Sequence, residues 1–166
     1  TNTIAINGVT NGTIFYGRVT NWFDRVAVAV NTQNQPVVVS LRPANPTAVQ
    51  VRRFNGTSWV GLGNSATDSG ITGQGSYFNP QIEIGPDNRP VVTYWDNWAY
   101  YCRKWDGSSS WPNLGSNIGV VDNTHGAYDL CSLSVNESNI VHFGWLQYRA
   151  RIMTNNVLLP PKHGFW

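Results

Sequence analysis

Apolar and polar residues alternate with a period of two along much of this chain. Val26, Val28 and Val30 are separated by alanines, and Cys131, Leu133 and Val135 by serines. That period predicts strands with two unlike faces. Val37-Val38-Val39 and Val91-Val92 are apolar on both faces, which predicts strands buried between two layers. Asn55-Gly56 and Asp106-Gly107 punctuate the pattern as hairpin turns, expected to be type I′ because both dipeptides suit positive φ. No window carries a helical period, so the chain is predicted to be all-β.

The pattern repeats. Asn34-Gln35-Pro36-Val37-Val38-Val39 returns as Asn88-Arg89-Pro90-Val91-Val92-Thr93. Phe54-Asn55-Gly56-Thr57-Ser58-Trp59 returns as Trp105-Asp106-Gly107-Ser108-Ser109-Ser110-Trp111, with one residue inserted, and Leu62-Gly63 as Leu114-Gly115. A weaker third copy runs from Tyr128-Asp129 through Ile140-Val141-His142-Phe143 to Arg149-Ala150-Arg151-Ile152. Each copy predicts a four-stranded antiparallel meander. The strands fall near 26–30, 37–41, 48–54 and 58–62, then 81–84, 91–95, 99–105 and 110–114. The third set falls near 131–135, 140–145, 148–154 and 157–159. The chain is thus divided into repeats at 23–63, 77–115 and 128–159 within one domain. Residues 1–22 carry two further short strands near 3–6 and 13–16, expected to complete the last repeat. The tail 160–166, with Pro160 and Pro161, is expected to dock on a surface.

Composition narrows the class. Charged residues are only 12% of the chain and net charge is +2, while Asn, Thr, Ser, Gly and eight Trp are abundant. This composition, with Thr1 as the first residue, leads to the expectation of a mature or excised piece of a secreted protein. The basic pairs Arg52-Arg53, Arg103-Lys104 and Arg149/Arg151 fall in three separate strands, the pattern of a solvated face rather than a nucleic-acid track. No apolar run is long enough for a membrane-spanning helix. Cys102 and Cys131 align with Val51 and Val26 of the first repeat, so buried thiols compete with a single disulfide. Neither metal-ligand spacing nor a cofactor motif is present, and none is expected.

The repeats, with their N-x-P-V-V turn-to-strand and N/D-G-[TS]-S-W…L-G signatures, resemble the blades of secreted, mostly bacterial, β-propeller proteins. The resemblance is close over Phe23–Gly115 and loose over Tyr128–Thr154. It implies that Trp59 and Trp111 wedge between neighbouring sheets. Three blades cannot close a ring on their own. A symmetric dimer closing a six-bladed ring, a longer parent propeller and a β-trefoil each solve that problem, and the dimer is the expected solution.

The functional expectation is a carbohydrate-binding, lectin-like module without catalysis. The carboxylates are few, and Asp24 and Asp129, each just ahead of the first strand of a repeat, suit loop-holding roles. His125, His142 and His163 share no context, and no nucleophile elbow is present. The candidate ligand-binding residues are Trp95, Asp96, Asn97 and Trp98, with Trp145, Gln147 and Tyr148 in the equivalent loop of the third repeat. Indole and phenol rings stack on sugar C–H faces, while amides and carboxylates fix hydroxyls. Packing between blades is the competing role for these aromatics. The alternatives are a structural subunit of an extracellular fibre, sheath or virion surface, and a fragment of a larger propeller enzyme such as a glycosidase. The expected partners are a glycan and further copies of the chain.

Overall fold

The computed structural model describes residues 2–6, 9–15, 26–42, 46–96, 99–114, 131–147, 149–154 and 157–158; side chains are described for 26–42, 46–96, 99–114 and 131–144. Strands β1 (Asn2–Ile6) and β2 (Val9–Phe15) form a separate hairpin. Each repeat then folds onto itself. Blade 1 is β3 (Val26–Val30), β4 (Pro36–Leu41), β5 (Val49–Phe54) and β6 (Trp59–Gly61), antiparallel and in chain order. Blade 2 is β7 (Phe78–Ile84), β8 (Pro90–Trp95) and β9 (Tyr100–Lys104). Blade 3 is β10 (Cys131–Val135), β11 (Val141–Gln147), β12 (Arg149–Thr154) and β13 (Val157–Leu158). In a trefoil, hairpins from three lobes share one barrel. Here every repeat is its own sheet, the arrangement of propeller blades.

The same turn joins the first two strands of every blade. It is closed by the N–H of Asn31, Gly85 or Asn136, which donates to the carbonyl of Gln35, Arg89 or Ile140 at 3.0–3.1 Å. Its third residue after the closing donor is Asn34, Asn88 or Asn139, with φ of 57°, 62° and 61°. Asparagine tolerates this left-handed conformation, and three copies of it account for the recurring Asn in the sequence.

The turns between third and fourth strands differ from expectation. Gly56 (φ 100°) and Gly107 (φ 90°) are left-handed, but Asn55 and Asp106 are not, so neither turn is type I′. The loops are longer, closed by Asn55 N–H to Ser58 O at 3.0 Å and Asp106 N–H to Ser110 O at 3.1 Å. The Asx side chain holds each loop instead. Asn55 Oδ1 accepts from the N–H of Thr57 and Ser58, and Asp106 accepts from the N–H of Ser108, Ser109 and Ser110. The expected strand at 110–114 is reduced to one bridge, Arg103 to Asn113. Pro112 has no N–H for the ladder, although its carbonyl still accepts from Lys104 N–H.

Two apolar layers hold the blades together. Between blades 1 and 2 lie Val37, Val39, Leu41, Val49 and Val51 from one side and Ile82, Val92, Tyr94, Trp105 and Trp111 from the other. Between blades 2 and 3 lie Val91, Tyr100 and Cys102 against Leu133, Val141 and Phe143. Strand β8 thus sends Val92 one way and Val91 the other, which is why it is apolar on both faces. Trp111 wedges between sheets as expected, its Nε1–H donating to the carbonyl of Leu62 in blade 1 at 3.1 Å. Cys102 and Cys131 are free thiols in the second layer rather than a disulfide.

Within this one chain the N-terminal hairpin is a sheet apart from blade 3, whose fourth strand is β13. Strand β2 instead comes up against β6 at the outer edge of blade 1. The tail 160–166 lies outside the described residues.

Candidate functional site

The first strands of neighbouring blades approach one another, β3 with β7 and β7 with β10, and so mark the inner edge of the array. Because strands alternate in direction, the loops between second and third strands share one end with the segments that lead from blade to blade. The candidate residues were expected on that end.

In blade 2 the loop leaves β8 after Trp95. Trp95 is half-buried, its ring 5.2 Å from that of Phe78 and packed on the layer between blades 2 and 3. Asp96 closes the loop twice over. Its N–H donates to Ala99 O at 3.2 Å, and its Oδ1 accepts from Ala99 N–H at 3.1 Å. It also accepts a hydrogen bond from the Tyr101 hydroxyl. Asn97 and Trp98 lie outside the described residues. In blade 3, Trp145 pairs with Cys131 and Arg151 in the backbone register, and Gln147 pairs with Arg149 at the end of β11. Their side chains and Tyr148 lie outside the description. Trp95 and Asp96 are therefore neighbours with packing and loop-closing work already in place. In blade 1, Arg42 pairs with Asp68 at 3.2 Å, tying the loop to the outgoing segment. Thr47 continues that tie, pairing with Gly75 across an isolated bridge.

Sequence reasoning missed an aromatic group beside this loop. Tyr94 and Tyr101 are opposite each other in the β8–β9 ladder, and their rings stack at 5.4 Å with 10° between planes. Tyr77 meets Tyr94 edge-on at 5.5 Å. Arg103 Nε donates to the Tyr94 hydroxyl at 2.9 Å. Burial pushes the Tyr94 phenol up to about 12, against the pull of the Arg103 guanidinium. Burial, with the Asp96 carboxylate next, pushes Tyr101 up to about 12 as well. These phenols stay protonated at any physiological pH, so they act as neutral hydrogen-bonding groups and stacking planes. The signal was legible in principle: Tyr94 and Tyr101 are one cross-strand pair once the loop length is known.

Four of the six described carboxylates are engaged. Asp68 is with Arg42, Asp87 is 2.7 Å from Lys104 Nζ, Asp96 closes its loop and Asp106 holds its turn. Glu83 is exposed on the inner strand β7, and Glu137 is exposed in the β10–β11 turn. Asp24 and Asp129 lie outside the described residues. Among the described residues no three His, Cys, Asp or Glu side chains gather as a metal site, and no helix is long and apolar enough to cross a membrane.

No protein-family model matches the chain, and no curated protein matches it by sequence. Solved structures do match it. An α-L-arabinanase from Penicillium chrysogenum, complexed with arabinobiose, superposes over 92% of this chain with a TM-score of 0.54 and 10% identity. An α-L-arabinofuranosidase from Fusarium graminearum, in complex with an iminosugar inhibitor, matches 86% of the chain with a TM-score of 0.53 and 8% identity. An exo-β-1,3-galactanase from Clostridium thermocellum matches 92% with a TM-score of 0.50 and 9% identity. At such identities the likeness is one of fold, and the fold is the β-propeller. The chain spans about half the length of these proteins: 53%, 48% and 40%.

These matches correct the expectation of a lectin-like module that is no enzyme. The three structures named above, which share the fold over most of this chain, are glycoside hydrolases. The physical reason is that a catalytic carboxylate pair needs closeness in space, not in sequence. Blades can supply its members from positions far apart along the chain, and a search by sequence spacing cannot see that.

Proposed function

We propose that this chain forms three consecutive blades of a propeller glycoside hydrolase acting on a polymeric glycan outside the cell. The observation that carries this reading is the superposition of 92% of the chain on an α-L-arabinanase, with similar agreement for two further glycosidases. The carboxylates proposed for the chemistry are Asp24 and Asp129. Each stands two residues ahead of an inner strand, β3 or β10, in sequence. At that end of the array the half-buried Tyr101, backed by the buried Tyr94, offers an aromatic ring for sugar stacking. Glycosidic hydrolysis needs one carboxyl as acid and one as base or nucleophile, about 5–9.5 Å apart. The full ring is expected to supply any partner that these blades lack.

The test is release of reducing sugar from arabinan, galactan and xylan by the full-length protein that contains this chain. Asp24→Asn and Asp129→Asn are expected to lower the rate by about 100-fold or more with an unchanged β-sheet circular dichroism spectrum. Full activity in both variants removes these residues from the reaction. No release from any glycan overturns the hydrolase reading.

A further inference from the structure

The blade repeat predicts what each inner strand touches on its preceding side, and blade 1 breaks the rule. Val28, Ile82 and Leu133 are equivalent, sitting opposite Val38, Val92 and Phe143 in their own sheets. Ile82 is 5% exposed against blade 1, and Leu133 is 9% exposed against blade 2. Val28 is 63% exposed, with Val26 and Val30 on the same face at 49% and 56%. These are the exposed large apolar side chains among the described residues. The other face of the same strand is covered: Ala27 and Ala29 pack on the layer shared with blade 2.

The turns tell the same story. Asn88 Oδ1 reaches back to blade 1 and accepts from the N–H and hydroxyl of Thr32, at 3.0 and 3.1 Å. Asn139 Oδ1 reaches back to blade 2 and accepts from Asp87 N–H and Lys104 Nζ, at 3.4 and 3.3 Å. Asn34 has the same left-handed backbone and is exposed, and its side chain meets no preceding turn among the described residues. Further out, the preceding side of blade 1 is covered. Val38 on β4 is 2% exposed, and β2 comes up against β6.

We infer that β1 and β2 are the third and fourth strands of a fourth blade, and that its first two strands seat on Val26, Val28 and Val30. Strands β1 and β2, with the Asn7-Gly8 step between them, precede β3 in the chain as β5 and β6 precede β7. The missing pair is an antiparallel hairpin of the kind that β3 and β4 present to blade 2, with small residues on the first strand and valines on the second. Its source is the same polypeptide, since the chain spans only about half the length of the propellers that it matches. The inference rests on the blade repeat and not on the hydrolase reading.

The experiment reads the burial of position 28. Val28→Cys is made in the 166-residue chain and in a fusion carrying a copy of residues 26–48 ahead of Thr1. Labelling with N-ethylmaleimide is followed by peptide mapping, which separates position 28 from Cys131. The expected result is fast labelling in the chain alone and labelling slowed by about tenfold or more in the fusion. A second variant guards against a fusion that merely fails to fold. Val28→Asp is expected to leave the melting temperature of the chain unchanged and to abolish the rise that the fusion brings. Equal labelling in both proteins overturns the proposal. Concentration-dependent protection in the chain alone also overturns it, by placing a second copy on this face.

Discussion

At the scale of the residue, the recurring Asn and Asp side chains shape the turns. Asp106 holds its loop through three N–H groups and the hydroxyls of Ser108 and Ser110. The Ser110 hydroxyl and these N–H groups hold its carboxyl well below the usual carboxylate range. A lowered folded-state pKa means that the carboxylate's contribution is complete above the unfolded value of about 4 and is lost as pH falls through the folded value. Asn55 closes the equivalent turn of blade 1 without a charge. Asp106→Asn is therefore expected to keep the fold and flatten the acid limb of stability, read as melting temperature between about pH 2 and pH 5. Cys102 is fully buried, and burial pushes its thiol up to about 12. It is expected to resist maleimide at pH 8 in the folded protein and to react on denaturation, whereas the partly exposed Cys131 reacts in both states. Protection of Cys102 lost without unfolding would contradict this packing.

At the scale of the element, each blade is a meander whose strands are sorted by what lies on either side. Strand β8 faces two blades and is buried on both faces, while β10 faces one and alternates. Trp111 is 4% exposed and joins adjacent blades through both its ring and its Nε1–H. Trp111→Phe removes the indole donor and leaves the Leu62 carbonyl only the longer bond from Ser65 N–H at 3.3 Å, which is expected to cost about 1 kcal/mol in urea unfolding. A cost near zero would mean that water replaces the indole. The strand positions were largely legible in sequence because period-two alternation and Asn-Gly or Asp-Gly steps report on them directly. The type I′ assignment failed because a dipeptide does not reveal its loop length. The strand at 110–114 was overread because Pro112 was counted for its apolar neighbours and not for its missing donor.

At the scale of the molecule, the blades are joined by apolar layers and by the back-reaching asparagines. Asn139→Gly keeps the left-handed backbone and removes the acceptor for Asp87 N–H and Lys104 Nζ. Faster amide exchange in β10 and β11, with β4 and β5 unchanged, is the expected outcome. Equal exchange throughout would show that the apolar layer alone docks blade 3. The candidate site was only partly legible. Trp95 and Asp96 were found from residue type, but their roles depend on Phe78, Ala99 and Tyr101, and the Tyr94–Tyr101 stack exists only because β8 and β9 pair in one register. The sequence by itself determined the all-β class, the three repeats and most of the strands, since these follow from local periodicity and turn chemistry. Only the tertiary structure decided which face of each strand meets a neighbour, where the N-terminal hairpin lies and which carboxylates are already engaged. Those depend on contacts between residues far apart in the chain, and a local pattern does not encode them.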